Sequence, residues 1–241
     1  ECSAGTATVD GYSIKTDMAA IQSRSGVCVQ ENILWDSLSC RDHVLFFGRL
    51  KGLTGQELSD AADRALTEVN LKKFEKRRAG ALSGGMKRRL SVANALIGDP
   101  KVVYLDEPST GLDPSSRRQL WDVISRAKGN KSIVLTTHSM EEAEILSDRV
   151  GIMALGELQC IGSSAELCRR YGKGYTLSVS IDERTSSGYA RISKFVTSLF
   201  PSAVLLEEPI GGTSKFEIKR EEIVLSKVFE TLESQEVKKE Y

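Results

Sequence analysis

The sequence predicts an α/β fold with a parallel sheet, followed by a smaller α+β domain. Two short, continuously apolar segments, Val102–Leu105 and Ile133–Leu135, are separated by a stretch with helical spacing. Apolar strands that alternate with helices are typical of parallel β-α units, so we expect helices over both faces of the sheet. Beyond Gly172 the order changes to strand, helix, strand, strand, helix. That order predicts a small split β-α-β unit.

Length and composition bound the function classes. The 241 residues carry 33 Lys and Arg against 33 Asp and Glu, and 40% of them are hydrophobic. Such a chain buries a substantial core, and its balanced charge argues against nucleic acid as a partner. Five scattered cysteines and two histidines lack paired metal-ligand spacing, which disfavours a disulfide framework or a zinc site. No apolar window approaches the roughly 20 residues that span a bilayer.

The first part of the chain predicts a hairpin, a helix and a strand. Residues 5–9 alternate like a half-buried strand, and Asp10-Gly11 supplies a hairpin turn. A short helix is predicted from about Thr16. A buried strand over residues 26–29 then ends at Gln30.

A block of helices follows that strand, at about residues 31–98. Two capping-box patterns begin two of these helices: Ser39 with Asp42, and Thr54 with Glu57. The second of these helices is predicted to continue to about residue 70.

The elements after this block follow from local start and stop signals. A helix begins after Ser83 and is stopped by residues 98–100, Gly-Asp-Pro. Pro114 is a first-turn proline of the next helix. Residues 149–154 and 158–161 are predicted as a hairpin.

The end of the chain, residues 172–241, is predicted as a separate domain. Its predicted elements are strand 175–181, helix 192–199, strands 203–206 and 215–218, and helix 223–232. We place the domain boundary between residues 171 and 172.

Two adjacent carboxylates, Asp106 and Glu107, end the first apolar strand. Ligands of α/β proteins bind at this end of parallel strands. Neighbouring strand residues point opposite ways, so the two acids are assigned different roles. Nucleotide hydrolysis needs one carboxylate for Mg²⁺ and one for the attacking water. For an isolated strand of this kind, an acidic turn is the commoner explanation.

Other polar residues could complete a nucleotide site. A serine such as Ser83 normally caps its own helix, but Gly84 and Gly85 weaken the helix while letting a ligand approach the backbone. The N–H groups of a helix N-terminus bind phosphate. His138, after the second apolar strand, could bond a γ-phosphate, and Gln30 could reach Mg²⁺ or water. Taken singly, each of these residues is more often structural.

Together the segments resemble the nucleotide-binding domain of an ATP-binding cassette (ABC) transporter. The matching segments are Leu82-Ser83-Gly84-Gly85 (signature motif), residues 102–107 (Walker B), Gly111-Leu112-Asp113 (D-loop), His138 (switch histidine) and Gln30 (Q-loop glutamine). They occur in the family's order, and the resemblance covers about residues 5–171. It implies a P-loop NTPase-like ABC cassette, with a parallel sheet core plus a helical subdomain at about 31–98.

The resemblance also implies residue roles with ATP and Mg²⁺ as cofactors. Glu107 would orient or deprotonate water, and His138 would contact the γ-phosphate. Asp106 and Gln30 would serve Mg²⁺. Four residues would face the nucleotide of a second cassette, on the same or a different chain: Ser83, Gly84, Gly85 and Asp113.

Finer features resemble subfamily A, whose members are mostly lipid exporters. They are Met86 at the end of the signature motif, residues 137–144, and Gly174-Tyr175. In that subfamily a small regulatory domain follows the cassette, as residues 172–241 would here. Contact with transmembrane domains is implied near Asn32–Leu38, where Leu34 and Trp35 look exposed. The implied location is the cytoplasmic face of a membrane, within an integral membrane transporter.

The P-loop fingerprint G-x-x-x-x-G-K-[ST] does not occur in the sequence. In the resembled family it lies shortly before the segment matched by residues 5–14. We therefore expect it to precede Glu1 and the cassette of residues 1–171 to be N-terminally incomplete. Two functions stay open: a transporter ATPase, and a non-catalytic partner that completes another cassette's ATP site through its signature motif. A soluble ABC protein of DNA repair or translation is disfavoured, since coiled-coil insertions and tandem cassettes are lacking.

Overall fold

The computed structural model describes residues 4–129, 131–172, 174–180, 186–206 and 212–219. The chain divides into two compact units, Glu1–Val150 and Gly151–Tyr241. The predicted helix at 223–232 lies outside the described residues. Among those residues, no helix combines the length and the apolar character that crossing a membrane requires.

The first unit begins with an antiparallel hairpin of β1 (Thr8–Val9) and β2 (Tyr12–Ser13). The turn residues Asp10 and Gly11 have φ of 50° and 83°, as a tight primed turn requires. Helix α1 (Met18–Arg24) leads directly into strand β3 (Ser25–Cys28). The predicted hairpin, helix and strand are present, but the first strand covers only Thr8–Val9, and Val27 of the strand predicted as buried is exposed.

A helical block follows, with α2 (Cys40–Leu50), α3 (Gly55–Glu68) and α4 (Gly84–Leu96), and short 3-10 turns at 72–74 and 79–81. The capping box predicted for α2 is confirmed. The Asp42 amide donates to Ser39 Oγ at 3.1 Å, and the Ser39 amide donates to Asp42 Oδ2 at 3.0 Å.

The capping box predicted at Thr54 is wrong, although α3 begins where expected. Thr54 occupies the N-cap position, but its side chain makes no cap hydrogen bond. The next residue, Gly55, has a φ of 54°, so the chain starts the helix from a left-handed conformation and the first turn is irregular. Packing stabilises α3 instead, since Ala62 and Leu66 on its inner face are fully buried.

The central sheet of the first unit contains three parallel strands in the order β3, β4 (Val102–Asp106) and β5 (Ser132–Thr136). Helix α5 (Pro114–Ala127) connects β4 to β5, and α6 (Met140–Leu146) follows β5. The predicted strands and the first-turn proline of α5 are confirmed. Because the strands are parallel, their carboxyl ends lie along one edge of the sheet.

One face of the central sheet packs against helices. Val103 and Leu105 of β4 are buried, and they share a core with Leu90 of α4 and Leu120 of α5. On the opposite face, Val27 is 61% and Val134 is 51% exposed.

The prediction of helices over both faces is therefore wrong for the described part of the chain. The reason is that α4 and α5 both contribute to the core on the same side of the sheet. The continuously apolar strands predicted that both faces of the sheet would be buried. In the structure only one face is buried.

The paired strands β6 (Val150–Ala154) and β7 (Glu157–Gly162) follow, and all of their residues except Val150 belong to the second unit; they confirm the predicted hairpin. Leu155 and Gly156 connect them, with φ of 52° and 81°. Helix α7 (Ser164–Tyr171) follows.

The remaining described elements are β8 (Gly174–Ser180), α8 (Ser186–Leu199), β9 (Val204–Leu205) and β10 (Thr213–Lys219). Strand β10 lies between β8 and β9 and is antiparallel to both. Strands β8 and β9 therefore run parallel to each other with a strand between them. This is the predicted split β-α-β arrangement.

Candidate active site

Two of the predicted site residues are in direct contact at the carboxyl edge of the central sheet. Asp106 is the last residue of β4 and Glu107 follows it, while His138 follows β5. His138 Nδ1 lies 2.7 Å from Glu107 Oε2. Because a carboxylate only accepts hydrogen bonds, this contact assigns a proton to Nδ1 of the imidazole. The parallel register produces the contact, since Asp106 pairs with Thr136.

The backbone turns sharply at Glu107 and orients its side chain. Its φ of 46° lies in the left-handed region, which is strained for a residue other than glycine. The Glu107 amide donates to both the carbonyl and the hydroxyl oxygen of Thr136, at 3.1 Å each. The Thr110 hydroxyl donates to Glu107 Oε2 at 2.8 Å. Backbone and side-chain bonds thus fix the carboxylate beside His138.

The neighbouring Asp106 is exposed and is held by the second strand. The Thr136 hydroxyl donates to Asp106 Oδ1 at 2.5 Å. The side chain of Gln30, beyond the end of β3, is exposed as well. Below, Gln30, Asp106, Glu107 and His138 are called the sheet-edge group.

Carboxylate and amide oxygens of this kind fit Mg²⁺. Mg²⁺ is commonly bound through one or two carboxylates, with water and substrate phosphates completing its octahedron. Asp106 and Gln30 offer such a partial set. The described residues contain no group of three His, Cys, Asp or Glu side chains that could hold a metal ion.

Arg88 of α4 joins the ends of β3 and β4, and the sequence interpretation missed it. It is only 3% exposed. Its guanidinium donates to four backbone carbonyl oxygens, those of Val29 (2.6 Å), Gln30 (2.9 Å), Asp106 (2.7 Å) and Pro108 (2.7 Å). Its spacing could have indicated its burial: Arg88 lies three residues after Gly85 and four before Val92, so all three share the buried face of the helix.

The signature-like residues lie at the N-terminus of α4. The Met86 amide donates to Ser83 Oγ at 3.3 Å, so Ser83 is an ordinary N-cap. A Cβ added at Gly84 would meet nothing within 4 Å, which leaves the backbone there open. A Cβ added at Gly85 would lie 2.5 Å from Ser116 Oγ and 2.7 Å from Ser116 Cβ. Gly84 therefore lets a ligand approach the backbone closely. Gly85 is instead required for packing, because Ser116 leaves no room for a side chain there.

Asp113 is the N-cap of α5 and lies three residues before Ser116, the residue that packs against Gly85. Its Oδ2 accepts the Ser116 amide at 3.0 Å. Hydrogen bonding to the Ser116 side chain and then to its backbone amide lowers the pKa of Asp113 below its ordinary value. Since Ser116 also packs against Gly85, the two helix N-termini meet there. Below, Ser83, Gly84, Gly85 and Asp113 are called the helix-terminus group.

The segment Asn32–Leu38, expected to contact transmembrane domains, carries exposed apolar side chains. Trp35 is 44% and Ile33 is 64% exposed, whereas Leu34 packs against the core, contrary to expectation. The Trp35 amide donates to Nε2 of the buried His43 at 2.9 Å, and His43 Nδ1 bonds the Ser39 carbonyl. The segment is thereby anchored to the start of α2.

Each of two segments of the chain matches the model of a known protein family. The family model described as "ABC transporter" matches residues 1–110, and the model described as "ABCA1-like, C-terminal R1 regulatory domain" matches residues 172–240. The chain is 50% identical to ABC transporter A family member 7 of Arabidopsis thaliana over 232 residues, which are 95% of this chain and 24% of that protein. Member 8 is 50% identical over 233 residues, 96% of this chain and 25% of that protein. The chain thus spans about a quarter of the length of these curated relatives.

A solved structure is similar in fold. It is that of cbiO1 from Clostridium perfringens, described as part of the ABC transporter complex cbiONQ, with a TM-score of 0.63. The match has 24% identity and covers 70% of each chain. At this identity the likeness shows the fold alone, an α/β cassette.

Proposed function

Because the chain belongs to the ABC transporter family, as a nucleotide-binding domain of subfamily A, we propose that it couples ATP hydrolysis to transmembrane transport of lipid. ATP would be bound and hydrolysed at the interface with a second cassette. The observation that carries this proposal is the Glu107–His138 contact at the carboxyl edge of a parallel sheet. We further assign residues 1–171 to the cassette, with a helical subdomain at about 31–98, and residues 172–241 to the regulatory domain.

Glu107 is assigned the role of orienting and deprotonating the attacking water. Its Oε2 is occupied by Thr110 and His138, which hold the carboxylate in one orientation. A fixed carboxylate loses little freedom when it accepts a proton from water, and general-base catalysis depends on such positioning.

His138 is assigned to the γ-phosphate. With Nδ1–H directed at Glu107, Nε2 is the ring atom left to face a ligand, and the side chain is 74% exposed. A neutral ring would present only a lone pair there, so donation to a phosphate oxygen requires a proton on Nε2 as well.

Asp106 and Gln30 are assigned to Mg²⁺. When bound, the cation neutralises charge that develops on the phosphates. Thr136 fixes one oxygen of Asp106 by its hydrogen bond. The Gln30 backbone is held by Arg88, which leaves its exposed side chain to reach the ion or a water.

The helix-terminus group is assigned to the nucleotide of a second cassette. Gly84 leaves the first amides of α4 open to an anion, and the partial positive charge of the helix N-terminus favours phosphate there. Ser83 adds a hydroxyl beside these amides. The chain would therefore contribute half of each of two ATP sites.

A transmembrane partner is supported by exposed apolar side chains in the helical subdomain. Ile33 and Trp35 lie in the segment Asn32–Leu38, and Phe46 and Leu50 on α2 are 39% and 66% exposed. The Trp35 and Phe46 rings are 5.1 Å apart. An apolar surface of this kind suits a protein partner, here at the cytoplasmic face of a membrane. Lipid as the transported class rests on the resemblance to subfamily A.

The test is Glu107→Gln in the full-length protein. The substitution keeps the shape of the side chain but removes the base, so we expect ATP binding to persist while turnover falls by at least about 100-fold. Glu144→Gln is the matched control, since Glu144 is an exposed residue of α6 and should leave turnover unchanged.

Two results would contradict the proposal in different ways. Turnover near the wild-type rate in Glu107→Gln would remove Glu107 from its assigned role. Absence of ATP hydrolysis in the wild-type protein, with activity restored when an active second cassette is added, would instead favour the non-catalytic partner.

A further inference from the structure

Arg88 is a buried arginine that belongs to neither the sheet-edge group nor the helix-terminus group. Its four hydrogen bonds all go to backbone carbonyls at the ends of two strands. Two of these carbonyls, from Val29 and Gln30, lie just after β3. The other two, from Asp106 and Pro108, flank Glu107.

The arginine side chain suits this arrangement for a chemical reason. A buried cation is costly unless its donors are satisfied, and four short bonds to carbonyl oxygens satisfy most of a guanidinium. The planar fork presents its donors in fixed directions, so the positions of the four carbonyls are fixed relative to one another. Lysine carries the same charge but has three donors on a single nitrogen, and it cannot reach this spread of acceptors.

The helix that carries Arg88 packs directly against strand β3. A Cβ on Gly26 of β3 would lie 1.9 Å from the Ala95 carbonyl oxygen of α4, so strand and helix are in backbone contact. Arg88 lies five residues after Ser83, which is about 7 Å along a helix axis. The same helix therefore bears part of the helix-terminus group at its first turn and the strand-end contacts at its second.

We propose that Arg88 is a positioning residue that couples the helix-terminus group to the sheet-edge group. Contact of a second cassette's nucleotide with Ser83–Gly85 shifts α4, and Arg88 transmits this shift to the backbone of Gln30 and of the Asp106–Pro108 turn. Glu107 lies inside that turn, so its alignment depends on the state of α4. The inference rests on the proposed ATPase function and adds a link between the chain's two half-sites.

The experiment compares Arg88→Met and Arg88→Lys with Arg89→Met in the full-length protein. Arg89 is the matched control, because it is the next residue of α4 and donates to the Val69 carbonyl at 2.9 Å, away from both groups. We expect Arg88→Met to lower kcat for ATP by about 10- to 100-fold, as loss of a supporting contact does, with little change in KM. Arg88→Lys should fall between Arg88→Met and the wild type, and Arg89→Met should retain the wild-type kcat.

A second measurement follows the two strand ends directly. Amide hydrogen exchange should become faster in segments 28–31 and 105–109 of both Arg88 variants, and should stay unchanged there in Arg89→Met. Loss of thermal stability with kcat unchanged per folded molecule would overturn the proposal. If Arg88→Met does not fold, Arg88→Lys is judged by the same two readouts.

Failure of the proposed function can be distinguished from failure of the coupling. If the wild-type protein does not hydrolyse ATP, exchange still decides the role of Arg88. Unchanged exchange at both strand ends would overturn the coupling, whatever the activity.

Discussion

The sheet-edge group and the helix-terminus group are held in opposite ways. In the sheet-edge group, contacts run between strand ends: Asp106 accepts a hydrogen bond from Thr136, and Glu107 contacts His138. In the helix-terminus group each polar side chain bonds to the first turn of its own helix: Ser83 to the Met86 amide and Asp113 to the Ser116 amide. The first group depends on tertiary register, the second on local capping.

Under the proposed function, this difference separates the residues assigned to hydrolysis from those assigned to binding a partner's phosphate. Side chains fixed by other side chains can supply a base and a proton donor in defined positions, which hydrolysis requires. Capped helix termini instead offer backbone N–H groups, which bind phosphate without chemistry of their own. Substitutions in the first group should therefore change turnover, and those in the second should change stability or phosphate access.

The largest expected effect on stability concerns the two signature glycines. Gly85→Ala would place its Cβ 2.7 Å from Ser116 Cβ, which rotation of the serine side chain cannot relieve. We expect a loss of about 1–3 kcal/mol in the free energy of unfolding, as for other overpacked sites. Urea denaturation checks this.

Gly84→Ala is the matched control, since its Cβ meets nothing within 4 Å, and it should unfold at the wild-type urea concentration or slightly higher. Adding Ser116→Gly to Gly85→Ala should restore part of the loss. Equal effects at the two glycines would refute the packing explanation for Gly85.

A smaller effect, on activity, is expected at Thr136. Thr136→Val removes the hydroxyl that bonds Asp106 and the Glu107 amide. Misalignment of both acids should lower kcat by about tenfold, measured as ATP turnover of the full-length protein. Thr136→Ser keeps the hydroxyl and should retain most of the activity. If the serine and valine variants were equally impaired, the hydrogen bonds would not be the cause.

The smallest effect is a pH dependence at Asp113. Its pKa is lowered in the folded protein, so its contribution to stability is present above the unfolded value of about 3.9 and is lost as pH falls through the folded pKa. Asn is also a good N-cap but does not titrate. The difference in Tm between wild type and Asp113→Asn should therefore shrink below about pH 4. A constant difference down to pH 2 would show that the charge of Asp113 does not contribute.

Local patterns predicted most of the fold. The N-caps at Ser39 and Ser83, the proline at the start of α5 and the two hairpin turns act over a few residues, so the sequence around them suffices. The order of apolar strands and helices predicted the parallel sheet. From that sheet followed the placement of Asp106, Glu107 and His138 at one edge, because parallel strands share their carboxyl ends.

What failed depended on distant parts of the chain or on backbone conformation. The capping pattern at Thr54 was correct in residue type, but the left-handed Gly55 makes the first turn irregular. The bonds of Arg88 join residues 18 to 59 positions apart, which no local pattern encodes. The exposed face at Val27 could not be foreseen either, since apolar strands do not specify the side on which helices pack.

The most direct test of two half-sites uses two differently tagged copies of the full-length protein. One copy carries Glu107→Gln, and the other carries Gly84→Asp, which places a negative charge at an open position without a packing clash. Each variant alone should lack ATP hydrolysis. In dimers purified through both tags, one site combines an intact sheet-edge group with the partner's intact helix-terminus group, so hydrolysis should return. Mixed dimers as inactive as the parents would contradict the account.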